Sequence, residues 1–186
     1  MKTNNTNQPV IDLDTLISNL KTEDNRNFSM THKMQQFMWG MVSFYLLVSV
    51  IKFLFSPPWY ESLGSLIVMF AFLVFGLLFR SNYREYKSID YGLPTIEMLD
   101  KAAARYQLFS LRALYVLIPV ILMDLGFSLL FYNLFSDTDP LNRILIIQAC
   151  YTILMLVSFF AGYLVWKKRQ KPLRDRALAL LKEIRS

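Results

Sequence analysis

Cysteine and histidine each occur once in 186 residues. One cysteine excludes a disulfide framework, and one of each argues against the usual zinc sites. Charge is scarce too: Asp, Glu, Lys and Arg make up 18% of the chain, against about 25% in a soluble domain. Catalytic signatures are missing. There is no glycine-rich phosphate loop, no G-x-S-x-G and no H-E-x-x-H. His32 lies just before the first apolar run and reads as a solvated or interfacial residue rather than a base. Asp137 and Asp139 are close neighbours, but turn and capping chemistry accounts for both. The expectation is therefore a protein that is not an enzyme and carries no cofactor or metal. No internal repeat is clear, so an inverted-repeat transporter is not supported.

What is abundant is apolar sequence. Hydrophobic residues make up 54% of the chain and aromatics 15%, and mean hydropathy is +0.33. Such a chain is too apolar to be disordered. Four runs approach the ~20 residues that cross a bilayer: Phe37–Phe55, Leu63–Phe79, Ala113–Phe135 and Ile144–Trp166. They predict an all-α membrane protein with four transmembrane helices in two hairpins, plus short cytosolic amphipathic helices. The corresponding division is a cytosolic tail at 1–35, a transmembrane domain at 36–166 with a cytosolic loop at 80–112, and a basic cytosolic helix at 167–186. The first 35 residues are polar and no cleavage pattern follows the first run, so that run is expected to remain as a signal anchor.

Basic residues orient these spans. Of the 20 Lys and Arg, all but Lys52 and Arg143 fall in the two tails or the middle loop. Both termini and that loop are expected in the cytoplasm. The net charge of +6 is then mainly a topology signal that also attracts anionic headgroups, and nucleic acid is not an expected partner. Trp39 and Trp166 fit the cytoplasmic interface and Trp59 the outer one. The outer connections, Ser56-Pro57-Pro58-Trp59-Tyr60-Glu61 and Ser136-Asp137-Thr138-Asp139-Pro140, leave no ectodomain. Asp139-Pro140 reads as the N-cap and first residue of the fourth helix. Cys150 falls inside that helix as an apolar filler.

Three cytosolic segments carry helical stripes. Leu13, Leu16, Ile17 and Leu20 form one, after which Asp24-Asn25-Arg26-Asn27 is expected to break the helix. Ile96, Leu99, Ala103 and Tyr106 form a second within Thr95–Gln107, after a turn at Asp90-Tyr91-Gly92-Leu93-Pro94. Ala177, Leu180, Leu181 and Ile184 form a third, beyond an expected break at Pro172. These faces pack on one another, lie on the inner leaflet or dock a cytosolic partner. The first stripe is the candidate partner surface. A further copy of the chain is another expected partner, beside the lipid bilayer.

Inside the spans, Asp124 stands out, because an intramembrane carboxylate costs about 3 kcal/mol on insertion scales. At 1.5 Å per residue, Lys52 lies about 20 Å and Asp124 about 18 Å from the cytoplasmic interface. Gln148 lies about 22 Å from it across a 30 Å core. The three are expected to share one polar layer, which Ser65 and Glu61 approach. The cluster reads either as an ion pair that sets helix register or as a proton- or cation-coupled site. Pro119 frees a backbone carbonyl near it. Gly40 with Ser43, Ala71 with Gly76, and Ser158 with Gly162 offer close approach between helices.

The segment Tyr86-Lys87-Ser88-Ile89-Asp90-Tyr91-Gly92-Leu93-Pro94, followed by Glu97, Leu99 and Arg105-Tyr106, resembles small uncharacterised bacterial four-span inner-membrane proteins with a cytosolic helical middle loop. That resemblance implies a multi-pass protein of the bacterial inner membrane and transfers no catalytic residue. Some proteins of similar size and topology accompany sigma factors as membrane-bound regulators, which implies a regulatory role without identifying a residue for it. The functional expectation is a non-enzymatic regulatory or scaffolding protein acting through its cytosolic helices. The alternative is a small proton- or cation-coupled transporter or channel subunit using Asp124.

Overall fold

The computed structural model describes residues 13–55, 58–108 and 114–185. Asp12, the connection at Ser56-Pro57, and Arg112 with Ala113 at the start of the third apolar run lie outside the described residues. Every regular element described is helical: α1 (Leu13–Leu54), α2 (Trp59–Lys87), α3 (Thr95–Arg105), α4 (Leu117–Leu130), a 3-10 turn (Tyr132–Phe135), α5 (Pro140–Val165), a π-turn (Trp166–Gln170) and α6 (Lys171–Arg185). Three helices are long and apolar enough to cross a membrane: α1, α2 and the continuous run Pro140–Arg185.

Two hydrophobic cores organise these helices. The first joins the three predicted stripes: Leu16 and Leu20 of α1, Leu99 and Ala103 of α3, and Ala177 and Leu181 of α6. Ile96 and Ile184 are exposed, so the second and third stripes are narrower than predicted. The candidate docking surface is thereby corrected. Leu16 and Leu20 are 1% exposed, and Leu13 and Ile17 pack against the same core. A short amphipathic helix needs a receiving surface, and here α3 and α6 provide it.

The second core centres on Val68, Ala71 and Phe72 of α2 and Met123 of α4, flanked by Met38, Val42 and Tyr45 of α1. Helix α1 serves both cores, being 42 residues long without interruption, or about 63 Å. The expected break at Asp24–Asn27 does not occur. Three poor helix formers there cost about 2 kcal/mol together. Burying leucines such as Leu16 and Leu20 returns about 1.5–3 kcal/mol each, and Asp24 gains the partners described below.

Among the described residues the third apolar run is helical at Leu114 and Tyr115 and again from Leu117. Its helix spans 14 residues, about 21 Å, and then tightens into the 3-10 turn. Asn133 within that turn bonds back to Tyr60 and Glu61, which gives the chain a reason to leave α-geometry. At Pro172 the helix widens instead of breaking: the Lys171 amide donates to the Trp166 carbonyl five residues back. A wider turn relieves the clash between a proline ring and the preceding turn. Asp139 and Pro140 do begin α5, although no side-chain cap bond forms.

Helices α2 and α4 meet at two glycines that no small-residue pattern in the sequence marks. A Cβ on Gly64 would lie 2.8 Å from the Leu130 amide nitrogen, and one on Gly126 would lie 2.6 Å from Val68 Cγ2. Gly40 and Gly162, singled out from sequence, face open space.

Candidate functional site: a buried carboxylate beside an amphipathic cleft

Asp24 is the most heavily bonded side chain described. Helix α1 carries it one turn beyond Leu20, so it points toward α3 together with the leucines. It is 4% exposed. The Tyr91 hydroxyl donates to Oδ2 at 2.6 Å and the Tyr106 hydroxyl donates to Oδ1 at 2.7 Å. The Arg105 guanidinium forms an ion pair with Oδ2. A buried charge is tolerated when it is paired and hydrogen-bonded on all sides, and three donors meet that condition.

The electrostatics follow from this geometry. Burial and the adjacent Asp24 carboxylate push the Tyr91 and Tyr106 phenols far above their ordinary range. Burial works against the Arg105 charge, but Asp24 outweighs it and holds the guanidinium pKa up. The turn that presents Tyr91 is closed by the Gly92 amide donating to Asp90 at 2.7 Å, a common Asp turn. Lys21 sits over the Tyr91 ring at 5.2 Å. The Tyr106 carbonyl accepts from Trp166 Nε1 at 2.9 Å. Trp166, expected as an interface anchor, is half-buried, with Arg174 over its ring at 5.4 Å. Trp59 and Trp39 are both exposed, Trp39 lying beside Gly76.

The polar residues expected to cluster in the bundle separate. Lys52 pairs with Glu61. Glu61 also accepts from Asn133 Nδ2 at 2.8 Å, and Asn133 accepts from the Tyr60 hydroxyl at 2.8 Å. Gln148 Nε2 donates to Ser128 Oγ at 2.9 Å. Ser65 is buried and shares a 3.0 Å hydrogen bond with Ser49. Asp124 is left with a buried Oδ1 that has no hydrogen-bond partner. Depth along each helix brings these groups to neighbouring layers, but rotation about each helix axis decides which of them meet. Tyr151 reaches the backbone carbonyl of Val120, one turn from Asp124, at 2.6 Å. Cys150 lies exposed on α5.

Beside the first core, bordered by its Leu20, Met98 and Ala102, lies a cleft of about 1390 Å³. Its lining mixes apolar Met30, Leu78, Phe79 and Val116 with polar Asn27, Asn82, Arg105 and Gln107. Asn27, within the segment expected to break α1, reaches the Tyr86 hydroxyl, whose pKa burial and the nearby Asp24 carboxylate push up to about 12. Asp24 and this cleft are not evident from sequence. The one signal pointing to them is that Tyr91, Arg105 and Tyr106 all lie in the segment carrying the resemblance. Among the described residues no three His, Cys, Asp or Glu side chains gather as a metal ion requires. No protein-family model, curated protein or solved structure matches this chain, so its function is argued from this geometry.

Proposed function

We propose that this chain is a non-enzymatic protein of the bacterial inner membrane, with four spans and both termini in the cytoplasm, that regulates or scaffolds a cytosolic partner through its helical module. The module is formed by α3, α6 and the first turns of α1. The observation that carries this reading is the continuity of α1 through both cores. A rigid helix passes a displacement at the module to the bundle, and the reverse. The first stripe is occupied within the chain, so a partner meets the outer faces of α3 and α6, which present Lys101, Arg185 and Asp100. The experiment is site-specific photocrosslinking from Lys101 and Lys182 of the full chain in cells, compared with Leu99→Asp, which disrupts the module. The expected result is one discrete crosslinked protein that disappears in the variant. Crosslinks that are diffuse and unaffected by Leu99→Asp overturn the reading.

One observation favours a second reading, a proton- or cation-coupled transporter or channel subunit: the unpartnered Asp124 Oδ1 in the apolar bundle. Buried polar atoms in apolar surroundings normally find partners, and intramembrane carboxylates mark ion pathways by default. Proton flux into proteoliposomes that is abolished by Asp124→Asn supports it, and flux unchanged by that substitution removes it.

A further inference from the structure

A polar network levels one end of the bundle. Lys52 of α1 pairs with Glu61 of α2, Glu61 accepts from Asn133, and Arg143 of α5 lies over the neighbouring Tyr132 ring at 5.3 Å. From Lys52 back to Lys33, and from Glu61 on to Arg80, is nineteen residues, or about 28 Å of helix. From Arg143 to Lys167 is twenty-four, or about 36 Å. No Lys or Arg lies within any of the three intervals. The hydrocarbon core of a bilayer is about 30 Å thick. Cations therefore resume on α1, on α2 and at the end of α5 at the depth where that core ends. His32 rests against the Tyr83 ring at 5.1 Å, which sets Lys33 level with Arg80 and Arg84.

The two ends differ in how their cations are used. Lys33, Arg80, Arg84, Lys167 and Lys168 are exposed, and none of them forms an ion pair among the described residues. At the levelled end Lys52 is engaged by Glu61, and Arg143 donates to the carbonyls of Ser136 and Thr138. Charge also falls away beyond the collar. Residues 167–176 hold six basic side chains and one acid, Asp175, whereas residues 177–186 hold two and one. A surface for an acidic cytosolic protein would carry its charge outward along α6. A surface for lipid headgroups carries it at the edge of the apolar core, as here.

We propose that the collar of Lys33, Arg80, Arg84, Lys167 and Lys168 collects anionic phospholipid from the leaflet it faces, its cations meeting the headgroup phosphates. The collar rests on the reading that α1, α2 and α5 span a bilayer, and it does not depend on any protein partner. It differs from a topology signal, which acts during insertion, because it requires lipid selectivity in a bilayer already assembled.

The test uses the full chain in phosphatidylcholine nanodiscs doped with a trace of phosphatidylglycerol or phosphatidylcholine, each carrying the same diazirine at the glycerol end of one acyl chain. Labelling is read at Leu77 and Leu164, exposed one turn before Arg80 and Lys167, and at Trp59, exposed at the opposite end. The expected result is a preference for the phosphatidylglycerol probe of about fivefold or more at Leu77 and Leu164, and equal labelling by both probes at Trp59. Lys167→Gln with Lys168→Gln is expected to lower the preference at Leu164 about fivefold for each charge removed. Lys167→Arg with Lys168→Arg is expected to retain it, and circular dichroism checks that both variants remain helical. Equal labelling by the two probes at Leu77 and Leu164, or a preference that survives removal of the charges, overturns the collar and leaves these cations to topology or to an acidic protein. Trp59 labelling then still upholds the membrane reading. Absence of labelling at Trp59 as well overturns both.

Discussion

The Tyr106 hydroxyl donates to Asp24 Oδ1 at 2.7 Å, although 82 residues separate the two in the chain. That bond ties the end of α3 to the side of α1. Tyr106 is 1% exposed and also touches the first core, so apolar packing and carboxylate bonding meet on one side chain.

Removing the carboxylate isolates a buried cation. Asp24→Ala leaves Arg105 unpaired and is expected to cost about 3–5 kcal/mol. Adding Arg105→Leu to that variant is expected to restore part of the loss. Denaturant unfolding in detergent, followed by Trp166 fluorescence, reads both, because Trp166 bonds the Tyr106 carbonyl. An Asp24→Ala variant as stable as the parent removes the idea that this ion pair holds the module.

Alkaline conditions act on the same place. The folded-state pKa values of Tyr91 and Tyr106 are raised, so the protonated phenols are favoured by folding. Their stabilisation is fully present below the ordinary tyrosine pKa of about 10 and is lost as pH rises above it. Among the described residues, Asp24, Arg105, Lys21 and the Tyr86 phenol, itself pushed up to about 12 by burial and Asp24, act on these rings or hydroxyls. The Tm of the module is expected to fall between pH 9 and pH 11, and the double variant Tyr91→Phe, Tyr106→Phe is expected to lessen that fall, Tyr86 retaining the remainder. A parent Tm that holds constant across this range contradicts the assignment.

Close approach of α2 and α4 depends on Gly64. An added methyl there would lie 2.8 Å from one backbone nitrogen and 2.9 Å from a backbone oxygen, atoms that move only with their helices. Gly64→Ala is expected to cost about 1–3 kcal/mol. Gly162→Ala faces open space and is expected to change stability by less than about 0.5 kcal/mol. Equal melting of the two variants in lipid discounts the contact.

Lys52 and Glu61 are expected to be coupled. Both are mostly buried, at 25% and 16% side-chain exposure, and Asn133 joins them. A cycle of Lys52→Gln and Glu61→Gln is expected to show an interaction energy of about 0.5–3 kcal/mol, whereas Lys52→Gln and Asp124→Asn add within about 0.5 kcal/mol. A coupling of Lys52 to Asp124 larger than that to Glu61 reverses the pairing.

Patterns within one element are legible in the amino-acid sequence. Leu16 and Leu20, Leu99 and Ala103, and Ala177 and Leu181 announce helical faces because a period near 3.6 puts each pair on one side. The turn at Gly92 and the start of α5 at Pro140 are legible for equally local reasons. The composition also announces long apolar helices, since no soluble core needs so many uncharged residues in succession.

Relations between elements are decided only by the tertiary structure. The three stripes choose each other, because a face recorded in sequence names no receiving surface. Asp24 is a helix breaker by propensity, and its partners at Tyr91, Arg105 and Tyr106 reverse that preference from far along the chain. Helical rise places Lys52, Asp124 and Gln148 in one layer, but rise measures depth alone. That Lys52 meets Glu61, that Gln148 meets Ser128 and that the Asp124 Oδ1 meets no hydrogen-bond donor depends on helix rotation. The sequence by itself determined which residues were apolar, charged and periodic. Only packing determined which of them met, because contact energies act between surfaces that exist only once the helices are side by side.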